Sequence, residues 1–399
     1  MTTQVKTLYR LAEKEPKLIS LMLLSAFAVM GAIIMTPALP KIADHFSKSV
    51  GVTQLAVTSF LLGYAIGQLI YGPLANRFGR KPALYVGIVI ASLGSIFSIL
   101  SSPTNSFSLL ILGRFLEAIG SSAGLAVSFT IINDFYFEKD ARKITAALML
   151  AFAIVPGVAI AAGGLLVQFL NWRACFYFLL LYGFFLLYYV STLPETLQKK
   201  DMSATQSRAI LHNYKEKFCN KKLIGFAMLS GFSSACVYVF GAEGPFIGIH
   251  ILHVLPAIYG LLGLTPYIGT LLGSIIAMRI AELNPITILK SAFFIELFAS
   301  LIMLILFLGH HVSLWTLLIP MGIFCIGHPI MSSTGISLSM QQNPDKANTS
   351  AVMNFAAMSM PVVMTLLLSE MHIGAPWILP VVMLIALMLM CATYQLIRE

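Results

Sequence analysis

Arg114 and Glu117 are the residues of this chain best suited to carry chemistry, because they place opposite charges inside a long apolar segment, 107–133. Their i, i+3 spacing puts both side chains on one face of a helix. In a membrane, an unpaired charge at mid-depth costs at least about 2.5 kcal/mol. A neighbouring arginine favours an ionised carboxylate and a dry environment favours a protonated one, so Glu117 could load and release a proton. A fixed structural ion pair is the alternative interpretation.

A second acidic candidate is Glu243, which lies late in the apolar segment 222–248 beside Gly244 and Pro245. The proline permits a bend in the helix at this point. The carboxylate could be another proton site or a contact for a cationic substrate, and a position at the outer rim of the membrane is the alternative. Glu296 falls in a span that we expect to support the bundle from outside, and we interpret it as structural.

Candidate substrate contacts are aromatic, amide and apolar side chains inside the spans, which suit the wall of an amphipathic cavity. They are Tyr64, Gln68, Met30, Ile33, Tyr238, His328 and Asn354. Ordinary helix packing produces similar stripes, and a lone histidine such as His328 is compatible with hydrogen bonding inside the bundle. No nucleophile elbow, phosphate-binding loop or zinc-ligand spacing occurs in the sequence, so we predict no enzyme activity, metal or other cofactor. The scattered cysteines are interpreted as small apolar fillers.

The elements that position these residues are membrane-spanning helices, because 58% of the 399 residues are hydrophobic and only 10% are charged. A soluble domain carries about 25% charged residues. At about 20 apolar residues per span, the sequence predicts an all-α membrane protein with twelve helices. These spans are 18–40, 52–75, 82–101, 107–133, 143–169, 173–192, 222–248, 254–281, 286–308, 313–338, 347–371 and 374–396.

The long polar segment 193–221 divides the spans six and six, which predicts an N-terminal bundle over 1–192, a cytoplasmic linker and a C-terminal bundle over 222–399. We expect a short amphipathic helix around 208–218 in the linker. With both termini cytoplasmic, all but four of the 25 lysines and arginines fall on the cytoplasmic side, which is a strong positive-inside bias. Orientation therefore explains the net charge of +9, and no nucleic-acid partner is predicted.

Several short stretches resemble signature sequences of the major facilitator superfamily. They are GPLANRFGRKPAL (72–84) between the second and third spans, LLILGRFLEAIGSSAG (109–124) in the fourth and IVPGVAIAAGG (154–164) in the fifth. NWRACFYF (171–178), LPETL (193–197) and EGPFIG (243–248) narrow the resemblance to the Bcr/CflA-type drug:proton antiporters.

The resemblance implies twelve helices around a central cavity, alternating access and proton-driven export of small amphipathic compounds. It also implies a bacterial inner membrane, and we expect a monomer whose partners are the lipid bilayer, protons and a small-molecule substrate. The residues that it implicates in gating are Gly72, Asn76, Arg77, Gly79, Arg80, Lys81, Pro156, Gly163 and Gly164.

Two departures from the family pattern keep other functions open. Ile33 stands where the family usually has an acidic residue in the first helix, and Asn76 replaces an aspartate that latches onto the start of the eleventh helix when the cavity faces outward. The missing first-helix acid favours an alternative, a dedicated exporter or importer of one metabolite such as a siderophore or amino-acid derivative. A membrane sensor or scaffold is a second alternative, although the sequence offers no soluble output domain for it.

Overall fold

A computed structural model of the chain describes residues 15–197, 200–202, 204–343, 345–371 and 374–398, and every regular element in these ranges is helical. We number the twelve principal helices α1 to α12 and refer to Ser207–Phe218, between α6 and α7, as the linker helix. The twelve are α1 Leu18–Phe46, α2 Val50–Phe78, α3 Arg80–Leu100, α4 Phe107–Phe135, α5 Glu138–Phe169, α6 Ala174–Thr192, α7 Lys221–Ile251, α8 Pro256–Arg279, α9 Pro285–Leu308, α10 Leu314–Gln341, α11 Lys346–Met371 and α12 Ile378–Arg398.

Within the described residues, eleven of these helices are long and apolar enough to cross a membrane, and α5 contributes a shorter apolar stretch, Ile154–Phe169. The all-α class and the order of the spans are as predicted. The linker helix also matches the amphipathic segment expected around 208–218. The bundle boundaries at 192 and 222 remain a prediction from the sequence.

The first helix is longer than predicted, because it continues past two prolines to Phe46. A turn of 3₁₀-helix, Thr36–Ala38, interrupts it, with Pro37 in the first turn of this piece and Pro40 in the first turn of Leu39–Phe46. A proline lacks an N–H and is tolerated where a helical segment starts, because that N–H would have no helical partner. The prolines therefore restart the helix instead of ending it at residue 40.

The basic stretch between the second and third spans is almost entirely helical, so the connection over 76–81 left by the predicted spans is shorter than expected. The second helix runs to Phe78 and the third begins at Arg80, so that Gly79 alone separates them. Gly79 has a φ of +117°, a conformation that favours glycine. A Cβ at this position would also lie 2.6 Å from Glu195 Oε2.

Both described ends of the chain lie at the end of the bundle that carries the linker 193–221, which we name the linker end. The Tyr136 hydroxyl at the close of α4 donates to the Pro16 carbonyl at 3.1 Å, and Gly225 near the start of α7 packs on Ile397. Both described ends of the chain therefore lie at the linker end. We refer to the opposite end as the far end. The basic residues at positions 6, 10 and 14 lie outside the described residues.

The helices pack as two groups with contacts between them. In the first group α4 packs against α1, α2 and α3, and in the second α10 packs against α7, α8 and α9. The contacts between the groups are made mainly by α2 with α11 and by α5 with α8. The central helices α4 and α10 thus present their side chains to the interior of each group, where the candidate site residues lie.

Candidate functional site

Arg114 and Glu117 form a buried ion pair in the middle of α4. Arg114 Nη1 lies 3.0 Å from Glu117 Oε1, and the two side chains are 0% and 1% exposed. The Arg114 guanidinium also stacks over the Phe60 ring at 4.3 Å from its centroid, a cation–π contact. Its Nε donates to the Ala56 carbonyl at 3.4 Å. The pair predicted from the i, i+3 spacing is therefore present and joined to α2.

Two atoms of this pair lack hydrogen-bond partners among the described residues, namely Arg114 Nη2 and Glu117 Oε2. Buried polar groups in proteins are almost always hydrogen-bonded, so each exception needs a physical account. A pair with one spare donor and one spare acceptor can take a water or a polar ligand between its members. The geometry therefore supports an exchangeable site better than a closed structural ion pair.

Gly31 on α1 leaves the space that the Glu117 carboxylate occupies, although this residue was not predicted as part of the site. A Cβ at Gly31 would lie 2.8 Å from Glu117 Oε1 and 3.2 Å from the Phe60 ring. The backbone of α1 can approach the carboxylate because no side chain intervenes. A glycine within a transmembrane helix signals a close approach of this kind, but the sequence does not show which residue approaches.

A small apolar and aromatic cluster adjoins the ion pair, and we name it the central cluster. Its buried members are Ala28, Ala32, Phe60, Tyr64 and Ala118, and Ile33, Tyr238 and Met358 pack against them. The structure thus brings together three of the predicted substrate contacts, from α1, α2 and α7. Sequence reasoning missed Met358, because methionine is common in packing and α11 carries several. Met30, by contrast, belongs to the main hydrophobic core.

Gln68 and Asn354 meet across the two groups of helices. The Asn354 amide nitrogen donates to Gln68 Oε1 at 3.4 Å, and Gln68 Nε2 is buried with no partner among the described residues. Gln68 lies one helical turn from Tyr64 on α2, so this amide pair continues the polar side of the central cluster. Both residues were predicted as substrate contacts, and the structure adds their pairing.

Glu243 lies at the far end, where it connects α7 with α2. Gln54 Nε2 donates to Glu243 Oε2 at 2.5 Å, and both side chains are buried. The carboxylate therefore takes part in the contact between the two groups of helices. Among the described residues, its side-chain hydrogen bond is to Gln54 and the ion pair of Arg114 is with Glu117, so these contacts do not join the three proton-coupling candidates.

Glu296 and His328 form a second polar cluster with Ser233 in the second group. Ser233 Oγ donates to Glu296 Oε1 at 2.5 Å and lies 2.9 Å from His328 Nδ1. Ser332 Oγ is 3.3 Å from the same ring nitrogen. Glu296 is 0% exposed, although its helix lies at the outside of the bundle as expected. Although α9 lies at the periphery of the second group, the face of α9 that carries Glu296 is turned inward, towards Ser233 of α7 and Gly327 of α10.

The basic stretch at the linker end forms one network with α4 and the chain after α6. Arg80 Nε pairs with Asp134 Oδ2 at 2.9 Å, and Arg80 Nη1 donates to Asn76 Oδ1 at 2.9 Å. Glu195 Oε1 and Oε2 accept the backbone N–H groups of Arg80 and Lys81 at 2.9 and 3.1 Å. Glu195 belongs to the LPETL stretch, which supported the family resemblance although no structural role could be assigned to it from the sequence. Its function here is to bind the first turn of α3.

Further contacts attach the same stretch to the linker. The Asp201 N–H donates to the Asn76 carbonyl at 3.1 Å, and the Arg77 guanidinium donates to the Thr205 hydroxyl. Lys81 Nζ donates to the Ser191 carbonyl at 3.1 Å. A Cβ at Gly72 would meet nothing within 4 Å, so no close contact requires a glycine there. Asn76 faces Arg80 in this conformation instead of the start of α11.

The remaining gating candidates lie along α5, where glycines allow close helix contacts. A Cβ at Gly163 would lie 2.0 Å from the Ile34 carbonyl, where α1 is interrupted. One at Gly164 would lie 2.4 Å from the Pro256 carbonyl and 3.0 Å from Gly260 Cα, both on α8. Pro156 lies inside the same helix. The paired glycines therefore place α5 against α1 on one side and α8 on the other.

The far end is closed by contacts between the two groups. A Cβ at Gly51 on α2 would lie 2.2 Å from the Ser369 carbonyl on α11. Thr58 and Thr365, on the same two helices, share a hydrogen bond of 2.9 Å between their hydroxyls. Together with Gln54–Glu243 and Gly164–Gly260, these contacts leave little room between the groups at this end.

The cysteines offer no metal site. Cys175, Cys236 and Cys325 are buried as predicted for apolar fillers, whereas Cys219 and Cys391 are exposed. Within the described ranges no group of three or more His, Cys, Asp or Glu side chains is arranged to hold a metal ion.

Comparisons with known proteins agree with this architecture. The family model of the Major Facilitator Superfamily matches residues 21–356. The bicyclomycin resistance protein homolog of Haemophilus influenzae is 26% identical over 336 residues, which cover 83% of each chain. Multidrug resistance protein D of Escherichia coli is 27% identical over 338 residues, covering 84% of each.

Solved structures give the same result for the fold. The xylose transporter XylE from E. coli, in an inward open conformation, superposes with a TM-score of 0.72 at 15% identity, covering 94% of this chain and 95% of the other. An inward-facing bacterial homolog of the human lysosomal transporter Spinster gives a TM-score of 0.67 at 16% identity, with coverages of 95% and 96%. Similarity at this level of identity concerns the fold alone.

Proposed function

This chain belongs to the Major Facilitator Superfamily of transporters, and on this premise we propose that it is a proton-coupled exporter of small amphipathic compounds. The observation that carries the proposal is the Arg114–Glu117 pair, buried beside the central cluster with one unpartnered atom on each side chain. The names of two relatives, a bicyclomycin resistance protein homolog and multidrug resistance protein D, support drug-type compounds as substrates.

Proton coupling follows from the charge balance of the pair. When Glu117 is ionised, it compensates the positive charge of Arg114 at a separation of 3.0 Å. Protonation of Glu117 leaves Arg114 as an uncompensated cation in a dry site, a state that is costly unless water or a ligand enters. Proton binding at Glu117 therefore favours a change in hydration or conformation, and substrate binding next to it can oppose or replace that change.

The central cluster suits an amphipathic substrate. Tyr64 and Tyr238 offer hydroxyl groups on opposite helix groups, and Ile33 and Met358 offer apolar surface. Methionine and aromatic side chains adapt to ligands of different shape. Because its members come from α1, α2, α7 and α11, the cluster changes shape whenever the two groups move relative to each other. That coupling is what alternating access requires.

We further propose that the chain lies in a bacterial inner membrane with the linker end in the cytoplasm. The positive-inside distribution of lysine and arginine supports this orientation. The closed far end would then face the periplasm, and the conformation would be inward-facing. A cysteine at the exposed Lys200 should react with a membrane-impermeant reagent from the cytoplasmic side, and one at the exposed Lys48 from the periplasmic side. The opposite labelling pattern would reject the orientation.

A second candidate function is transport of one dedicated metabolite, by export or import. Ile33 favours it, because this apolar side chain packs in the central cluster at the position where the family pattern has an acid. Without that acid, the site has fewer charges with which to attract cationic drugs. A dedicated transporter should act on one chemical class, whereas a multidrug-type exporter should act on several unrelated ones.

Reconstitution into proteoliposomes tests both functions. With an imposed pH gradient and a panel of compounds, we expect the wild-type protein to drive uphill transport of several cations and neutral amphiphiles. Glu117→Gln should abolish uphill transport and retain downhill exchange. Glu370→Gln, which alters an exposed carboxylate near the end of α11, is the matched control. Wild-type pH dependence in Glu117→Gln would place the coupling site elsewhere, and activity on a single class of compound would select the dedicated transporter.

A further inference from the structure

The polar cluster in the second group of helices contains a carboxylate in an unusual position. Glu296 is 0% exposed and accepts a hydrogen bond from Ser233 Oγ at 2.5 Å. Its other oxygen, Oε2, is buried with no partner among the described residues. No described lysine or arginine forms an ion pair with it, in contrast to Glu117. A buried carboxylate without a cation is stable in its ionised form only with strong compensation, so this group is suited to hold a proton.

The surroundings of Glu296 are otherwise closed. A Cβ at Gly327 on α10 would lie 2.9 Å from Glu296 Cγ, so the carboxylate stem fills the space left by that glycine. The titratable groups that face it are His328, reached through Ser233, and the thiols of Cys236 on α7 and Cys325 on α10. His328 is the one among these whose side chain can accept a proton on one ring nitrogen and release a proton from the other.

His328 is only half-buried, and the packing of α10 shows which side of that helix carries it. Gly327 meets α9 and Gly335 meets α7, whereas Gly273 of α8 meets Ile326. At 100° per residue, His328 lies about 20° from Gly335, on the side of α10 that packs on α7, in agreement with its contact to Ser233. The partly exposed ring of His328 therefore gives this buried cluster an accessible edge.

From this geometry we propose that His328, Ser233 and Glu296 form a second proton-binding site, in which the histidine and serine conduct a proton from the partly exposed edge of His328 to the buried carboxylate. The proposal rests on the proposed function for its role in transport. The site lies in the second group, whereas the Arg114–Glu117 pair lies in the first. Each group of helices would then carry one carboxylate that binds a proton.

The proton transfer balances without another reactant. In the ionised state His328 Nδ1–H donates to Ser233 Oγ, and the Ser233 hydroxyl donates to Glu296 Oε1. A hydronium ion gives a proton to His328 Nε2 and leaves as water. The Nδ1 proton then passes to Ser233 Oγ while the serine proton passes to Glu296 Oε1, which leaves a neutral Nε2–H imidazole. The net change is one proton taken up by Glu296, and Ser233 ends with its hydroxyl pointing to Nδ1.

Infrared difference spectroscopy of the full-length protein in lipid, with pH as the variable, observes this site without transport. We expect a band from a buried protonated carboxyl group that grows as pH falls. Glu296→Gln should remove this band, whereas Glu117→Gln should leave it. Ser233→Ala should move its midpoint, and the adjacent buried Ser234→Ala should not. His328→Gln should slow the appearance of the band after a pH jump.

Folding of each variant is checked by its elution as a single species, and Ser233→Ala keeps the proposal testable because it removes no charge. A spectrum that Glu296→Gln leaves unchanged would overturn the proposal, as would a band insensitive to both Ser233→Ala and His328→Gln. Transport assays in proteoliposomes distinguish a failure of the proton site from a failure of the proposed function. If the band is present but a pH gradient drives no transport, the proposed function fails and the site stands. If the gradient drives transport and no such band exists, the site fails alone.

Discussion

At the scale of single residues, the position of the Glu117 carboxylate depends on what its neighbours lack. Gly31 has no side chain to occupy the space beside Oε1, and Ala118 on the same helix is small. The Phe60 ring covers Arg114 from the other side. The pair is held at 3.0 Å by this packing and, among the described residues, receives no hydrogen bond from another side chain. Its geometry should therefore respond to small changes in volume.

We predict that Gly31→Ala reduces transport driven by a pH gradient while the protein still folds. The added methyl group would lie 2.8 Å from Glu117 Oε1 and 3.2 Å from the Phe60 ring, so the oxygen that pairs with Arg114 must shift. If the pair is weakened by about 1 kcal/mol, the equilibrium between coupled states changes about fivefold. Initial rates of uphill transport in proteoliposomes measure the effect.

Gly322→Ala is the matched control, because a Cβ at this helical glycine of α10 would have its nearest contact at 3.8 Å. It should transport at the wild-type rate. Equal losses in the two variants would mean that glycine flexibility, and not the contact with Glu117, decides the rate.

Residues that act within one helix could be predicted from the sequence, whereas partners on different helices could not. The i, i+3 spacing was enough to predict the Arg114–Glu117 pair. Glu296 was interpreted as structural because its span was expected at the outside of the bundle, and its partner Ser233, 63 positions away on α7, could not be predicted. The face that a carboxylate presents depends on helix rotation, and an apolar sequence with no polar side leaves that rotation unspecified.

At the scale of helices, the far end is held closed by α2 against α11 and by α5 against α8. Most of these contacts are between backbone and small residues, as at Gly51 and Gly164. The Gln54–Glu243 hydrogen bond differs, because it is polar, buried and joins α2 to α7. Opening this end must break it, so its strength contributes directly to the balance between conformations.

We predict that Glu243→Ala shifts the population towards conformations that are open at the far end. A hydrogen bond to a charged group contributes about 1.5 kcal/mol or more, which corresponds to roughly a tenfold change in the ratio of states. Spin labels at the exposed Lys48 and Glu370 report the separation of the two groups at this end. Glu243→Gln retains an oxygen that can accept from Gln54 and should shift the distances much less. Unchanged distances in Glu243→Ala would show that packing alone closes this end.

The linker helix is attached to the segment before α11. Lys217 Nζ lies 3.0 Å from Asp345 Oδ2, and Glu216 accepts from the Asn343 amide at 3.0 Å. Partial burial opposes ionisation of Asp345, but hydrogen bonds from Asn348 and Lys217 outweigh it, so the pKa of Asp345 lies below its ordinary value. The linker helix also reaches α2, where the Tyr214 hydroxyl donates to the Leu69 carbonyl at 3.0 Å. It therefore connects both groups of helices.

We predict that Asp345→Asn loosens the linker helix at neutral pH. A carboxylate with a lowered pKa contributes stability above its ordinary pKa of about 3.9, and this contribution is lost as pH falls through the lowered value. The side chain is 37% exposed, so the pair contributes at most about 1 kcal/mol. Amide hydrogen exchange in Ser207–Phe218 should become up to about fivefold faster. Glu282→Gln, an exposed acid in the α8–α9 loop, should leave exchange unchanged, and equal rates in both variants would contradict the prediction.

At the scale of the whole molecule, composition and segment length were sufficient to predict an all-helical membrane protein. Continuous apolar segments of about 20 residues have the length of a membrane-spanning helix, and a helix satisfies its backbone hydrogen bonds within the segment. Element boundaries were less accurate where a proline restarts a helix, as at Pro37, or where one glycine separates two helices, as at Gly79. The conformation could not be predicted, since alternating access, as proposed for this chain, requires at least two packings of its halves. The contacts that select between them join residues far apart in the chain, such as Thr58 and Thr365.

Asn76 links the basic stretch to this conformational balance. Its side chain accepts from Arg80 at 2.9 Å, and this contact stays within the first group of helices. It should therefore be equally strong in both conformations and should not select between them. The start of α11, by contrast, belongs to the second group and is already capped by Asp345, which accepts from the Asn348 N–H at 3.3 Å. A negative charge at residue 76 would be stabilised to a different extent in the two conformations, because its distance from the positive N-terminal end of α11 would differ.

We predict that Asn76→Asp shifts the population towards the conformation in which the linker end is closed. A carboxylate at a helix N-terminus gains about 0.3 to 1 kcal/mol, and a gain of about 1 kcal/mol changes the ratio of states about fivefold. Paired labels at the two mouths of the bundle, measured as distances or as accessibility, detect such a change. Asn76→Ala separates the two effects, because it removes the hydrogen bond to Arg80 and adds no charge. If both variants behave alike, the charge does not reach α11, and the stretch acts only by binding Asp134 and Glu195 and by setting the orientation in the membrane.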